Sequence, residues 1–142
     1  MTILTGHITD HFCVEEFHCK DGTIYPVEWI TERLKPLCQQ LEKIRALTGQ
    51  QMRIISGYRT KAYNDYIYEK LGRTPTNSMH IQGIAADILL DGMTILDLYR
   101  AIEKLIADKA IRDGGLGIYY TCVHYDIREK PARWNHTKWH TT

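Results

Sequence analysis

One acidic residue in an otherwise apolar run constrains this chain most. Asp87 stands inside Ile84-Ala85-Ala86-Asp87-Ile88-Leu89-Leu90, a stretch whose length and composition predict a buried strand. A carboxylate taken into a core alone is costly, so the fold must bring it a cation, a metal ion or several donors. His80 lies seven residues earlier, across Gly83, where a loop can fold back to the start of the strand. His124 and Asp126 are two apart in a second predicted strand and so share a face. Val123, Tyr125 and Ile127 then point the other way, into the core.

The rest of the chain supplies a frame for these residues. Residues 14–19 read as a short amphipathic helical turn. From Val27, apolar residues recur at threes and fours through Ile30, Leu34, Leu37, Leu41, Ile44 and Leu47, predicting one long helix closed near Gly49. Pro36 implies a kink or break within it. Residues 52–56 form a strand, left at Gly57, and residues 60–71 a second helix, ended by Gly72. A polar loop with Pro75 carries Asn77, Ser78 and His80. The strand bearing Asp87 closes at the Asp91-Gly92 turn signal. Thr94 caps a third helix, with Asp97 in a capping-box position and Leu98, Ile102, Leu105 and Ile106 as its buried stripe. Gly114, Gly115 and Gly117 loosen the chain before two short strands at 118–120 and 122–127. This mixture predicts a single α+β domain over residues 1–142, with a mainly antiparallel sheet and flanking helices.

Charge and composition narrow the function. Eighteen basic residues are scattered among seventeen acidic ones, for a net charge of +1. No basic stripe marks a nucleic-acid partner, and no apolar run is long enough to span a membrane. The opening Met1-Thr2-Ile3-Leu4-Thr5-Gly6-His7 lacks the charged-then-apolar pattern of a secretory leader. The chain is therefore expected to fold in a reducing cytoplasm. Cys13, Cys19, Cys38 and Cys122 form no CxxC pair, so neither a thiolate zinc knuckle nor a disulfide framework is indicated.

Two imidazoles and one carboxylate, His80, His124 and Asp87, make a three-ligand zinc set that leaves a coordination position open, the pattern of catalytic rather than structural zinc. Spacing alone leaves another possibility: Asp87 pairs with an arginine or caps a turn, and the histidines are incidental.

Longer motifs bear on that choice. Ser78-Met79-His80-Ile81-Gln82-Gly83-Ile84-Ala85-Ala86-Asp87 matches an SxHxxGxAxD signature, Ile55-Ser56-Gly57-Tyr58-Arg59 an SGYR segment followed by Asn64, and Val123-His124-Tyr125-Asp126 with Arg128 and Arg133-Trp134 a VHxD…R…RW ending. His11-Phe12 and Glu16-Phe17 echo an HFS…EF opening. Together, over about residues 8–135, they resemble the M15 family of zinc D,D-carboxypeptidases and peptidoglycan peptidases, in its short phage and bacterial branch. The resemblance implies a Hedgehog-type fold, a catalytic Zn2+ on His80, Asp87 and His124, and a substrate of peptidoglycan stem peptides or cross-links. It also implies an enzyme of phage or prophage lysis or of a phage tail, acting on the cell wall after release or delivery.

Other branches carry an acid three residues before the last zinc histidine, where this chain has Thr121. Asp126, the nearest carboxylate on the correct face, is the expected general base, with orientation of His124 as its alternative. Arg59 is expected to stabilise the oxyanion or hold a substrate carboxylate, with a plain ion pair as its alternative. Ser78 is expected to contact substrate or a ligand, with loop capping as its alternative, and Tyr120 to contact substrate. Tyr119, Tyr120 and Trp134 are expected to line the cleft, with a place in the core as the alternative. A zinc-bearing, non-catalytic peptidoglycan-binding module is the competing function. Gly83 is expected to remove a side chain from between two converging ligands.

Overall fold

The computed structural model describes residues 6–142; residues 1–5, part of the stretch read for a leader, lie outside the described residues. Seven strands and three α-helices follow in the order β1 (His7–Thr9), β2 (Phe12–Cys13), α1 (Lys35–Arg45), β3 (Met52–Ser56), α2 (Lys61–Lys70), β4 (Ala85–Leu90), α3 (Ile95–Ala107), β5 (Gly115–Ile118), β6 (Val123–Asp126) and β7 (Ala132–Asn135). β1 and β2 form a small antiparallel pair. The other five make one sheet in the order β3-β4-β6-β5-β7, antiparallel except where β7 joins β5 in parallel. The architecture is α+β, as the sequence predicts.

One face of the sheet is apolar because its strands alternate. Ala86, Ile88, Leu116, Ile118, Val123 and Tyr125 are buried in one cluster with Leu37, Leu41 and Ile44 of α1 and Leu98, Tyr99 and Ile102 of α3. Thr94 caps α3 by accepting the Asp97 N–H. Leu105 and Ile106 lie at the cluster's margin, only partly buried. Residues 14–17 form a 3-10 turn that buries Val14 and Phe17.

The long helix expected from residue 27 is broken. A 3-10 turn at Val27–Trp29 runs into a π-helical turn at Ile30–Leu34, and α1 begins only at Lys35. Pro36 falls in the first turn of α1, the part of a helix that tolerates proline. The π turn, closed by the Lys35 N–H on the Ile30 carbonyl, absorbs the change of register. Val27 is exposed, so the buried stripe starts at Leu34.

The glycine-rich stretch after α3 is a strand. β5 occupies Gly115–Ile118, and residues 119–122, expected to begin two strands, form the tight turn into β6, closed by the Tyr119 N–H on the Cys122 carbonyl. Leu116 and Ile118 fill the core, and Gly115 and Gly117 occupy the alternate positions. β7 was not anticipated, since its Ala-Arg-Trp-Asn carries too little apolar pattern to read as a strand.

Because Leu41 is fully buried in this cluster, Leu41→Ala is expected to lower unfolding free energy by about 2–5 kcal/mol. Urea titration should show a lower midpoint at unchanged slope.

Candidate metal centre

Sheet register assembles the centre. Ser56 lies opposite Asp87, Asp87 opposite His124, His124 opposite Gly117, and Gly117 beside Trp134. Paired residues share a face, so this row crosses all five strands on the side away from the apolar core. Asp126 lies in the neighbouring row, between Ala85 and Gly115.

His80 enters from the loop before β4, which is held at several points. Its carbonyl accepts the Arg59 N–H at 3.1 Å, and its N–H donates to Ser78 Oγ at 3.2 Å. Tyr25 Oη donates to the Gly83 carbonyl at 2.7 Å, and Arg33 Nη1 to the Gln82 carbonyl at 2.9 Å. Tyr25, Trp29 and Tyr58 meet edge-on beneath this loop. Gly83 has φ +73°, and a Cβ there would press on Tyr25 Oη and Trp29. Its role is thus a left-handed turn over these aromatics, not clearance between two ligands as expected.

Three lone-pair-bearing atoms converge. His80 Nδ1 lies 2.6 Å from the Gly57 carbonyl, which can only accept, so Nδ1 carries the proton and Nε2 is bare. That Nε2 lies 3.2 Å from Asp87 Oδ1. His124 Nε2 lies 2.6 Å from Asp126 Oδ2, leaving Nδ1 to face Asp87 Oδ1 at 3.1 Å. All three residues are buried, and the ligand atoms lie within 4.8 Å of one another. Two imidazole nitrogens aimed at one carboxylate oxygen in a desolvated site make a place where a proton or a metal ion can sit among them. Each imidazole also has its second nitrogen fixed by a carbonyl or carboxylate, as metal-binding histidines do. The set therefore fits a metal ion.

Electrostatics agree. Burial works against ionising Asp87, yet His80 and His124 hold its carboxyl well below the usual range. Burial keeps His80 from charging, although Asp87 opposes this. Burial also disfavours charge on His124, but its hydrogen bonds to Asp126 and Asp87 outweigh that and raise its pKa. Without an ion, His124 is the favoured seat for the balancing proton, which metal would displace.

Arg59 clamps the assembly. Its Nε donates to Ser56 Oγ at 3.0 Å, Nη1 to Asn64 Oδ1 at 3.1 Å and Nη2 to Asp87 Oδ2 at 3.0 Å. Asp126 differs from what a general base requires. Its Oδ1 accepts from the Gly115 and Arg128 N–H groups and from Arg128 Nε, while Oδ2 accepts from His124 Nε2 and Arg128 Nη2. It is fully buried, so neither oxygen is open to take a proton from water in this geometry. Its observed contact is with the far side of His124.

The centre lies in a cleft of about 790 Å³ whose walls include Ser78, Met79, Tyr68, Tyr119, Tyr120, Thr121 and His136. Ser78 is half-buried there, and Tyr120 is exposed at the rim with its Oη accepting the Lys138 N–H. Tyr119 and Trp134 line the cleft rather than the core cluster. The Trp134 ring lies 4.9 Å from that of His124. Sequence reading missed the clamp of Arg128 on Asp126, the Gly57 carbonyl behind His80, and His136, whose ring stacks on Tyr119 at 5.1 Å. The parallel pairing of β7 creates the last of these neighbourhoods, and no local pattern announces it.

A family model described as Peptidase M15 matches residues 10–126. The chain belongs to the peptidase M15 family. No curated protein and no solved structure gives a significant match. As an M15 metallopeptidase, the chain has its three candidate ligands within the matched span, whereas Trp134 and His136 follow it.

The glycines of β5 make room for the site of this peptidase. A Cβ on Gly115 would run into the Asp126 carboxylate, and one on Gly117 into the Trp134 indole. Gly117→Ala is expected to displace Trp134 and cost about 1–3 kcal/mol. Near-ultraviolet circular dichroism and urea unfolding would record both effects.

Proposed function

We propose that this M15 peptidase is a zinc enzyme that hydrolyses peptide bonds in peptidoglycan stem peptides, as a D,D-carboxypeptidase or endopeptidase. The observation carrying this reading is the convergence of His80 Nε2, His124 Nδ1 and Asp87 Oδ1 on one point of an open cleft. Two imidazoles with one carboxylate form a donor set suited to catalytic zinc. A bound Zn2+ would supply an acidified water and a Lewis acid for the scissile carbonyl.

The chain's own residues prepare that centre. Gly57 and Asp126 fix the two imidazoles by accepting their outward N–H groups. Arg59 orients Asp87 through its ion pair with Oδ2, and we assign it and Asp126 positioning roles. Ser78 and Tyr120, on the cleft wall, contact the substrate peptide. Likeness of its motifs to the short phage and bacterial branch supports a role in phage or prophage lysis or in a tail. The chain would be made in the cytoplasm and reach the wall by release or delivery.

A specific observation favours the second reading, a zinc-holding module that binds peptidoglycan without cutting it: among the described residues lining the cleft, Asp87 is the only one with a carboxylate. Digesting purified peptidoglycan and analysing muropeptides by mass spectrometry separates the two. Shortened stems or opened cross-links, lost with a chelator and restored by Zn2+, are expected. Unchanged muropeptides, with zinc bound and muropeptide affinity intact, would favour the module.

Calorimetry on the purified chain should give one zinc per molecule. His80→Ala and Asp87→Ala should each abolish stoichiometric binding. Asp126→Asn is expected to weaken zinc by about 10–100-fold, the usual scale for a residue that orients a ligand.

A further inference from the structure

Tyr119 has a phenol placed and oriented as a hydrogen-bond donor. Trp134 Nε1 donates to Tyr119 Oη at 2.9 Å. An indole nitrogen donates only, so Oη must be the acceptor in this pair and its own hydrogen must point elsewhere. Among the described residues no acceptor receives that hydrogen. Burial raises the Tyr119 pKa and outweighs the hydrogen bond from Trp134, which lowers it, so the group stays protonated.

The position is fixed as well as the polarity. His136 stacks on the Tyr119 ring with an interplanar angle of 4°, and the His136 N–H is tied to the Ile118 carbonyl. Trp134, which holds Oη, lies against His124 on its other side. Half-buried Tyr119 therefore lines the same cleft as the candidate ligands, joined to His124 through the Trp134 indole that both contact. Of the arginines lining the cleft, Arg59 is engaged with Asp87, Ser56 and Asn64, and Arg128 with Asp126, while Arg73 is exposed at its edge.

We propose that Tyr119 donates this hydrogen bond to the oxygen of the scissile carbonyl as it becomes an oxyanion, a role expected of Arg59 from sequence. It rests on the reading of the cleft as a peptidase site. In the reaction water oxygen bonds to the carbonyl carbon, the C–N bond breaks, and the nitrogen leaves as an amine carrying a proton from the water. Tyr119 transfers no proton. It stabilises the charge on oxygen with a donor already held in place, which needs no reorganisation at the moment of reaction.

Tyr119→Phe keeps both ring contacts and removes only the O–H. The zinc-loaded full chain and this variant are compared, with Ser78→Ala as a second variant, for binding of a phosphinate dipeptide whose tetrahedral oxygens mimic the oxyanion. Tyr119→Phe should bind zinc within about twofold of wild type and the phosphinate at least about tenfold more weakly. On a cleaved muropeptide, kcat should fall by about 10²–10³ with little change in KM. Equal phosphinate affinity, loss of zinc, or an effect confined to Ser78→Ala would overturn the proposal. Intact discrimination by Tyr119→Phe without any peptidoglycan cleavage would remove the cell-wall reading and leave the donor role. A wild type that binds no phosphinate would overturn both.

Discussion

Everything around the cleft answers to the ionised Asp87 carboxylate near the middle of the sheet. One oxygen faces both imidazoles and the other receives Arg59. A charge so deep is tolerable only while these partners stay in place, because losing one leaves the rest uncompensated in a medium that screens poorly. This accounts for the density of restraints behind each partner. Gly57 holds His80, Asp126 with Arg128 holds His124, and Ser56 with Asn64 holds Arg59. The cleft can stay open because the ordering is done from behind.

Sheet geometry turns these sequence-distant groups into neighbours. His124 and Asp87 meet by pairing of β4 with β6, and the clamp of Arg59 comes off the end of β3. Side-chain direction alternates along a strand, so a one-residue slip of β6 would send His124 into the core and Tyr125 into the cleft. The large apolar residues on the other face guard the register of the site. Packing and chemistry are here two sides of one alternation.

Much of this was legible beforehand because the signals were local or matched a known pattern. The lone acid in an apolar run marked Asp87, and the two-residue step marked His124 and Asp126 as sharing a face. The cap at Thr94 and the strand at 52–56 follow from short-range chemistry. What escaped depended on contacts across the fold. Asp126 looked like a base from its face alone, but Arg128 and Gly115 occupy its oxygens. The glycines of β5 looked like looseness and are clearance for Trp134 and Asp126. The broken helix at 27–34 kept the helical spacing, so periodicity could not reveal its change of hydrogen-bond pattern.

β7 is an edge strand of the sheet, and among the described residues its only backbone ladder is with β5. It brings an indole and an imidazole to one wall of the cleft from beyond the matched family span. The candidate ligands Asp87 on β4, His124 on β6 and His80 on the loop before β4 lie on other elements. The wall of the cleft and its candidate ligands thus come from different strands: a different terminal strand laid on the same ladder would change the shape of the cleft while the two imidazoles and the carboxylate stay as they are.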